Sequence, residues 1–115
     1  MAARRVGALL VTAASFFDTR LHRIVDFAAQ KQLPAIYQFR EYAVAGGLIS
    51  YGPNVAESYK DAGSYVGGIL KGEKPADLPV TQPTKFDFLI NLKAARTLGL
   101  TVPPTLLIEA GEVIE

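Results

Sequence analysis

The sequence predicts an α/β protein built on a parallel sheet, and three features carry that prediction. Ala8 to Thr12 is apolar throughout rather than alternating, as in a strand covered on both faces. Between it and a second short run, Leu33 to Tyr37, lies one helical pattern with short joints. A strand–helix–strand unit of this kind gives parallel pairing with a right-handed crossover. Third, Phe39 to Asn54 packs a charged aromatic turn, a Gly46-Gly47 break, a brief strand and a helix start into sixteen residues. A chain that leaves one element, extends briefly and opens a new helix is crossing between two structural units.

Taken in order, Ala8 to Thr12 is the first strand and Ala13 to Phe17 the loop at its carboxyl end. Asp18 is a fair N-cap for a helix to about Lys31, with Leu21, Ile24, Val25 and Ala28 at helical spacing. Leu33 to Tyr37 is the second strand, with Pro34 acceptable at its start. Gly46-Gly47 frees the backbone, and Leu48 to Tyr51 suits a strand that Gly52-Pro53 stops. Asn54 followed by Glu57 is close to a capping box. The helix it opens shows Val55, Tyr59, Ala62, Val66, Ile69 and Leu70 on one face, with Lys71 and Gly72 suited to its end. Three prolines from Glu73 to Pro83 make that stretch an extended connector. Phe86 to Asn91 is a third strand, Leu92 to Leu98 a short helix capped by Gly99. Pro103-Pro104 opens a last helix through about Val113. There is no internal repeat.

Composition narrows the function classes. The 115 residues are half apolar and one-fifth charged, enough for one domain with its own core. Twelve basic and eleven acidic residues leave a net charge of +1, which is no footprint for nucleic acid. With no cysteine there is no disulfide, zinc–thiolate site or thiol nucleophile. Arg4-Arg5 followed by a short apolar run and small residues has the parts of a signal peptide, and it reads equally as a buried strand feeding a loop. The run is too short to span a membrane.

Residues able to carry chemistry are few. His22, the one histidine, stands between Leu21 and Arg23 on a helix, without Ser-His-Asp or metal-ligand spacing around it, and reads as solvated. Arg40-Glu41 is either an exposed ion pair or part of a polar pocket. The glycines match neither a Gly-Lys-Ser/Thr loop nor a G-x-G-x-x-G pattern. Phe16-Phe17 falls at the carboxyl end of a strand, where open α/β sheets bind ligands, although adjacent phenylalanines more often belong to a core. The expectation is a protein that is not an enzyme and needs neither metal nor cofactor.

Four blocks together resemble one family: Leu33 to Tyr42, Ala45 to Asn54, Ile69 to Val80 and Gln82 to Pro104. It is the family of ABC transporter substrate-binding proteins with a type I periplasmic-binding fold, in the branch that includes tryptophan and tyrosine binders. The resemblance runs from about Ala8 to Glu115 and favours the strand reading of Ala8 to Thr12. Relatives are two-lobed and longer, so the chain resembles their C-terminal third. The implied architecture is an incomplete three-layer lobe with a parallel sheet and one helix belonging to the other lobe. Residues 1–7 would be an N-terminal extension and 8–47 a second-lobe βαβ segment. Residues 48–83 would hold hinge crossings, a first-lobe helix and the return connector, and 84–115 the second-lobe C-terminal strand and helices. The hinge crossings would fall near Leu48 to Gly52 and Pro79 to Pro83.

The function so implied is capture of a small solute, an amino acid or aromatic compound, for an ABC importer with its permease, by two lobes closing without chemistry. The candidate ligand-binding residues are Phe16, Phe17, Arg40, Glu41, Ser50 and Tyr51. Aromatic faces would hold an apolar body, Arg40 a carboxylate and Glu41 an amine. Where relatives carry Asp-Pro before the two phenylalanines, this sequence has Ala14-Ser15, which weakens the case for a polar contact there. The resemblance implies the periplasm; without a clear signal peptide the chain as given would stay in the cytoplasm. A regulatory or interaction module on the same fold, or a non-functional truncated remnant, are the alternatives. A homodimer through the helix of residues 54–71 is expected, because its apolar face would otherwise be wet.

Overall fold

The computed structural model describes residues 6–115. The expected N-terminal extension and the basic start of the signal-like segment therefore lie largely outside the described residues. In chain order the elements are β1 (Leu9–Val11), α1 (Ser15–Asp18), α2 (Leu21–Gln30), β2 (Ala35–Tyr37), α3 (Arg40–Val44) and β3 (Ile49–Pro53). After them come α4 (Val55–Leu70), a 3-10 turn (Pro75–Asp77), β4 (Phe86–Asn91), α5 (Leu92–Thr97), α6 (Pro104–Glu109) and β5 (Glu112–Ile114).

The five strands form one sheet in the order β1-β2-β3-β4-β5. β1, β2 and β3 run parallel, and β4 runs parallel to β5. The Asn91 N–H donates to the Leu48 carbonyl at 2.8 Å, and the Asn54 N–H donates to the Lys85 carbonyl at 3.0 Å. Each bond joins the start of one strand to the end of the other, so β3 and β4 are antiparallel. The carboxyl ends of β1 to β3 therefore share one edge of the sheet with the amino ends of β4 and β5.

Two compact units divide the chain: one runs to Gly52 and resumes at Asp87, the other is Pro53–Phe86. The first holds the core. Val11, Val25, Ala28, Ala35, Tyr37 and Tyr42 are buried together, with Leu21 and Ile24 packed against them. The helical spacing of Leu21, Ile24, Val25 and Ala28 is what turns one stripe of α2 onto the sheet. Tyr37 stacks on Tyr42, with ring centroids 4.8 Å apart and planes 11° from parallel. Gly47 has to be glycine, since a Cβ there would come within 2.6 Å of the Tyr37 ring and 2.8 Å of the Tyr42 carbonyl oxygen. The opposite sheet face is apolar but open. The register sets Leu10 beside Ile36 and Ile36 beside Ile49, and Leu10 is 69% and Tyr51 53% exposed.

In the second unit, the Asn54 side chain accepts from the Glu57 N–H at 2.8 Å, capping α4 as its sequence requires. Gly72, at φ 106°, closes the other end. The Tyr65 hydroxyl donates to the Pro79 carbonyl and lies 3.0 Å from Thr81 Oγ1, fastening the connector to the helix. None of the residues of α4 is buried.

Four local readings need correction. Asp18 closes α1 instead of capping α2, whose N-cap Arg20 makes no side-chain cap bond. Its carboxylate is engaged elsewhere, accepting from the Tyr42 hydroxyl at 3.0 Å. The Phe39 to Ala45 turn contains a helix, α3. β3 continues to Pro53, past the expected stop at Gly52. The last helix ends at Glu109, and Glu112–Ile114 is a strand that pairs with Leu89–Asn91.

Candidate functional site

The site is built at the shared sheet edge, where α3 leaves β2. Phe39 has extended backbone and Arg40 opens the helix. The Arg40 guanidinium donates to Glu112 Oε2 at 2.7 Å, a charge-assisted bond between residues 72 positions apart. Arg40 follows β2 and Glu112 opens β5, while β3 and β4 lie between these strands. The pair therefore reaches across the ends of two intervening strands. Both side chains are close to half exposed, at 42% and 49%. The hydrogen bond to Glu112, then its charge, raise the Arg40 pKa, and Asp87 and Glu41 add to the same negative field.

On β3, Tyr51 meets Phe88 of β4 edge to face, with ring centroids 5.8 Å apart and planes 89° apart. Between these positions and the core, Ser50 is fully buried, and its Oγ has no hydrogen-bond partner among the described residues. Glu41 is exposed in the first turn of α3.

Phe16 and Phe17 form a second group on α1, their rings in edge contact at 5.9 Å. Phe17 turns into the core, while Phe16 is exposed with the Arg20 guanidinium 3.8 Å over its ring. They border an apolar groove of about 570 Å³ with Leu10, Phe27, Arg20 and Arg23. A separate cavity of about 430 Å³ lies between Tyr37, Gly47, Asn91 and Ala94. Among the described residues no cluster of three His, Cys, Asp or Glu could hold a metal ion, and His22 is exposed on α2.

The six candidates from sequence thus lie on three elements: Arg40 and Glu41 on α3, Ser50 and Tyr51 on β3, and Phe16 with Phe17 on α1. Sequence reasoning missed Glu112, Asp87 and Phe88. For Glu112 a signal existed: Gly111 breaks the helical pattern, and Val113-Ile114 after it suits a strand.

Residues 3–114 match the family model described as ABC transporter substrate binding protein. A search of curated proteins finds no match. Among solved structures, a conserved domain protein from Vibrio cholerae is 24% identical over 96% of this chain, with a TM-score of 0.89. An ABC domain from Streptococcus pneumoniae in complex with L-Trp is 29% identical over 98% of the chain, with a TM-score of 0.87. A ligand-free, open substrate-binding protein with adhesive properties from Clostridium difficile is 21% identical over 93%, with a TM-score of 0.61. The chain spans 38%, 39% and 36% of these three proteins.

Proposed function

Because the chain belongs to the family of ABC transporter substrate binding proteins, which bind rather than transform their ligands, we propose that it forms one wall of a solute-binding cleft serving an importer. The solute is a small molecule of amino-acid type, as L-Trp is for the Streptococcus pneumoniae domain. What supports this reading is that Arg40 and Glu41 open the helix after β2 and Tyr51 stands near the carboxyl end of the adjacent parallel strand β3, at the edge where open α/β sheets receive ligands. Phe16 and Phe17 would extend the apolar lining, and Ser50 would act from beneath it. The two strands that join the units, β3 and β4, are the hinge, and α4 belongs to the opposite lobe. The working site is the periplasm, facing an ABC permease. No helix among the described residues is long and apolar enough to cross a membrane. A second copy of the chain pairs through α4, whose Tyr59, Val66 and Leu70 are exposed.

Titration of the chain with L-tryptophan and a panel of other amino acids, followed by amide chemical shifts, tests the reading. Saturable shifts at Arg40 and Tyr51, weakened by Tyr51→Ala and Arg40→Ala but not by His22→Ala, support it. Equal effects of all three substitutions remove the site assignment, and no saturable shift with any solute removes the function.

A further inference from the structure

α2 carries two stripes. Leu21, Ile24, Val25 and Ala28 pack in the core. Arg20 at the N-cap, then Arg23, Ile24 and Phe27, make a neighbouring stripe at the same helical spacing, and all four line the apolar groove of about 570 Å³. The groove's other wall is β1, an edge strand of the sheet, together with Phe16 and Phe17 of α1. Its two guanidiniums differ from that of Arg40, which is bonded to Glu112 at 2.7 Å. Neither Arg20 nor Arg23 has an ion-pair partner among the described residues, and residues 1–5 contain no Asp or Glu. Asp18, the acid nearest to Arg20 in the chain, accepts from the Tyr42 hydroxyl, and neither it nor Asp26 lines the groove. Arg20 is nonetheless held in place. Its Nη1 donates to the Phe16 carbonyl at 3.1 Å and to Thr19 Oγ1 at 3.2 Å, and its guanidinium lies 3.8 Å over the Phe16 ring. These partners are all neutral, so the charge is not compensated. The Nη2 and Nε hydrogens have no acceptor among the described residues.

We propose that the groove between β1 and α2 is a binding site of its own, for a small amphiphilic carboxylate whose apolar body lies along Leu10, Phe16 and Phe27 and whose charge is held by Arg20 and Arg23. An apolar groove of this volume with a few fixed polar groups is the usual form of a small-molecule site. Two guanidiniums three positions apart on one helix face, with donors to spare, decide the sign of the ligand. An ammonium on the same body would meet two like charges and gain no acceptor from either. The site shares the Phe16–Phe17 end of the apolar lining with the cleft proposed above but uses neither Arg40 nor Tyr51. It therefore stands whether or not an amino acid binds at those two residues.

The test titrates 4-phenylbutyrate and 4-phenylbutylammonium, the same ring and chain with opposite charge, into the protein and follows amide shifts. The wild-type chain should take the carboxylate with saturable shifts at Leu10, Arg23 and Phe27. It should favour it over the ammonium by about tenfold, the ratio expected from two ion pairs in a partly open groove. Arg20→Gln combined with Arg23→Gln should erase that preference, whereas Arg20→Lys combined with Arg23→Lys should keep most of it. Phe27→Ser should weaken both probes alike. If circular dichroism shows that the double glutamine variant does not fold, Arg23→Gln alone decides, and it should reduce the preference by about threefold. Equal affinity for the two probes, no saturable shift with the carboxylate, a preference unchanged in the folded glutamine variants, or shifts confined to Arg40 and Tyr51 overturns the proposal. So do shifts at the groove amides when the chain is diluted without a probe, which would mark a contact between copies.

Discussion

The side-chain amide of Asn91 donates to the carbonyl of Ala43 at 3.0 Å, while its oxygen accepts from the Ala94 N–H at 3.0 Å. One buried residue at the end of β4 thus caps α5 and ties α3 to it. Asn54 also caps a helix, and it is only partly buried.

The two caps should therefore differ in worth. Asn54→Ala should cost about 1 kcal/mol, the usual value of an N-cap. Asn91→Ala loses a cap and also its bond to the Ala43 carbonyl, which keeps the Gly46 N–H at 3.1 Å, so about 2 kcal/mol is expected. Asn91→Asp keeps the acceptor for Ala94 but sets a buried carboxylate oxygen against the Ala43 carbonyl, so it should cost at least as much as Asn91→Ala. Urea unfolding of the three variants measures this, and equal losses at the two sites would show that the Ala43 bond contributes nothing.

How far the sequence could be read depended on how local the causes were. α2, the N-cap of α4 and β4 were legible because apolar spacing and capping chemistry act within a few residues. α3 was not: its five residues gain their helical state from Tyr42 stacking on Tyr37, a contact no local pattern contains. β5 was lost for the same reason, since a three-residue strand exists only through its pairing with β4. In the candidate site, Arg40 and Tyr51 could be named from residue type and position. Gly111 and Val113-Ile114 marked the strand that carries Glu112, but its bond to Arg40 comes from the sheet order that joins them across 72 positions.

Although it crosses the sheet edge, the Arg40–Glu112 pair should contribute little to stability. Both side chains remain close to half exposed, so water screens them and ordering two long side chains offsets part of the gain. Glu112→Gln should change the unfolding free energy by under about 1 kcal/mol, with less effect still in high salt. A thermal melt series in low and high salt checks this. A loss of several kcal/mol would mean that the pair chiefly braces the fold.

Alkali should act on the tyrosine stack. Burial pushes the Tyr37 phenol up to about 12. Burial, and then the hydrogen bond to Asp18 and its charge, push Tyr42 to about 12 as well. Both values lie above the ordinary 10.0, so the folded state holds these protons more tightly than the unfolded chain. The stability this provides is complete below pH 10.0 and is lost as pH rises towards 12. Unfolding by circular dichroism should therefore coincide with the appearance of phenolate absorbance in that window. Tyr37→Phe should lessen the pH dependence there. If both phenols ionise near 10.0 without unfolding, the stack is not buried in solution.

The last expectation concerns α4. Tyr59, Val66, Ile69 and Leu70 are 75%, 55%, 41% and 82% exposed on a helix with no buried residue. Monomers seldom leave a contiguous apolar patch of this kind wet, and roughly 400 Å² at about 25 cal/mol per Å² represents some 10 kcal/mol of unrealised burial. Association must, however, overcome the lost freedom of two molecules and ordered side chains. Two such faces together would bury roughly 800 Å², below the 1,200 Å² or so of a stable interface. The dimer proposed through α4 should accordingly be weak and concentration-dependent. Sedimentation velocity across a dilution series should show a shifting average mass in the wild-type chain, and Val66→Lys with Leu70→Lys should hold it monomeric while leaving the circular dichroism unchanged. A wild-type chain that stays monomeric at every concentration, or lysine variants that still associate, would remove α4 as the contact.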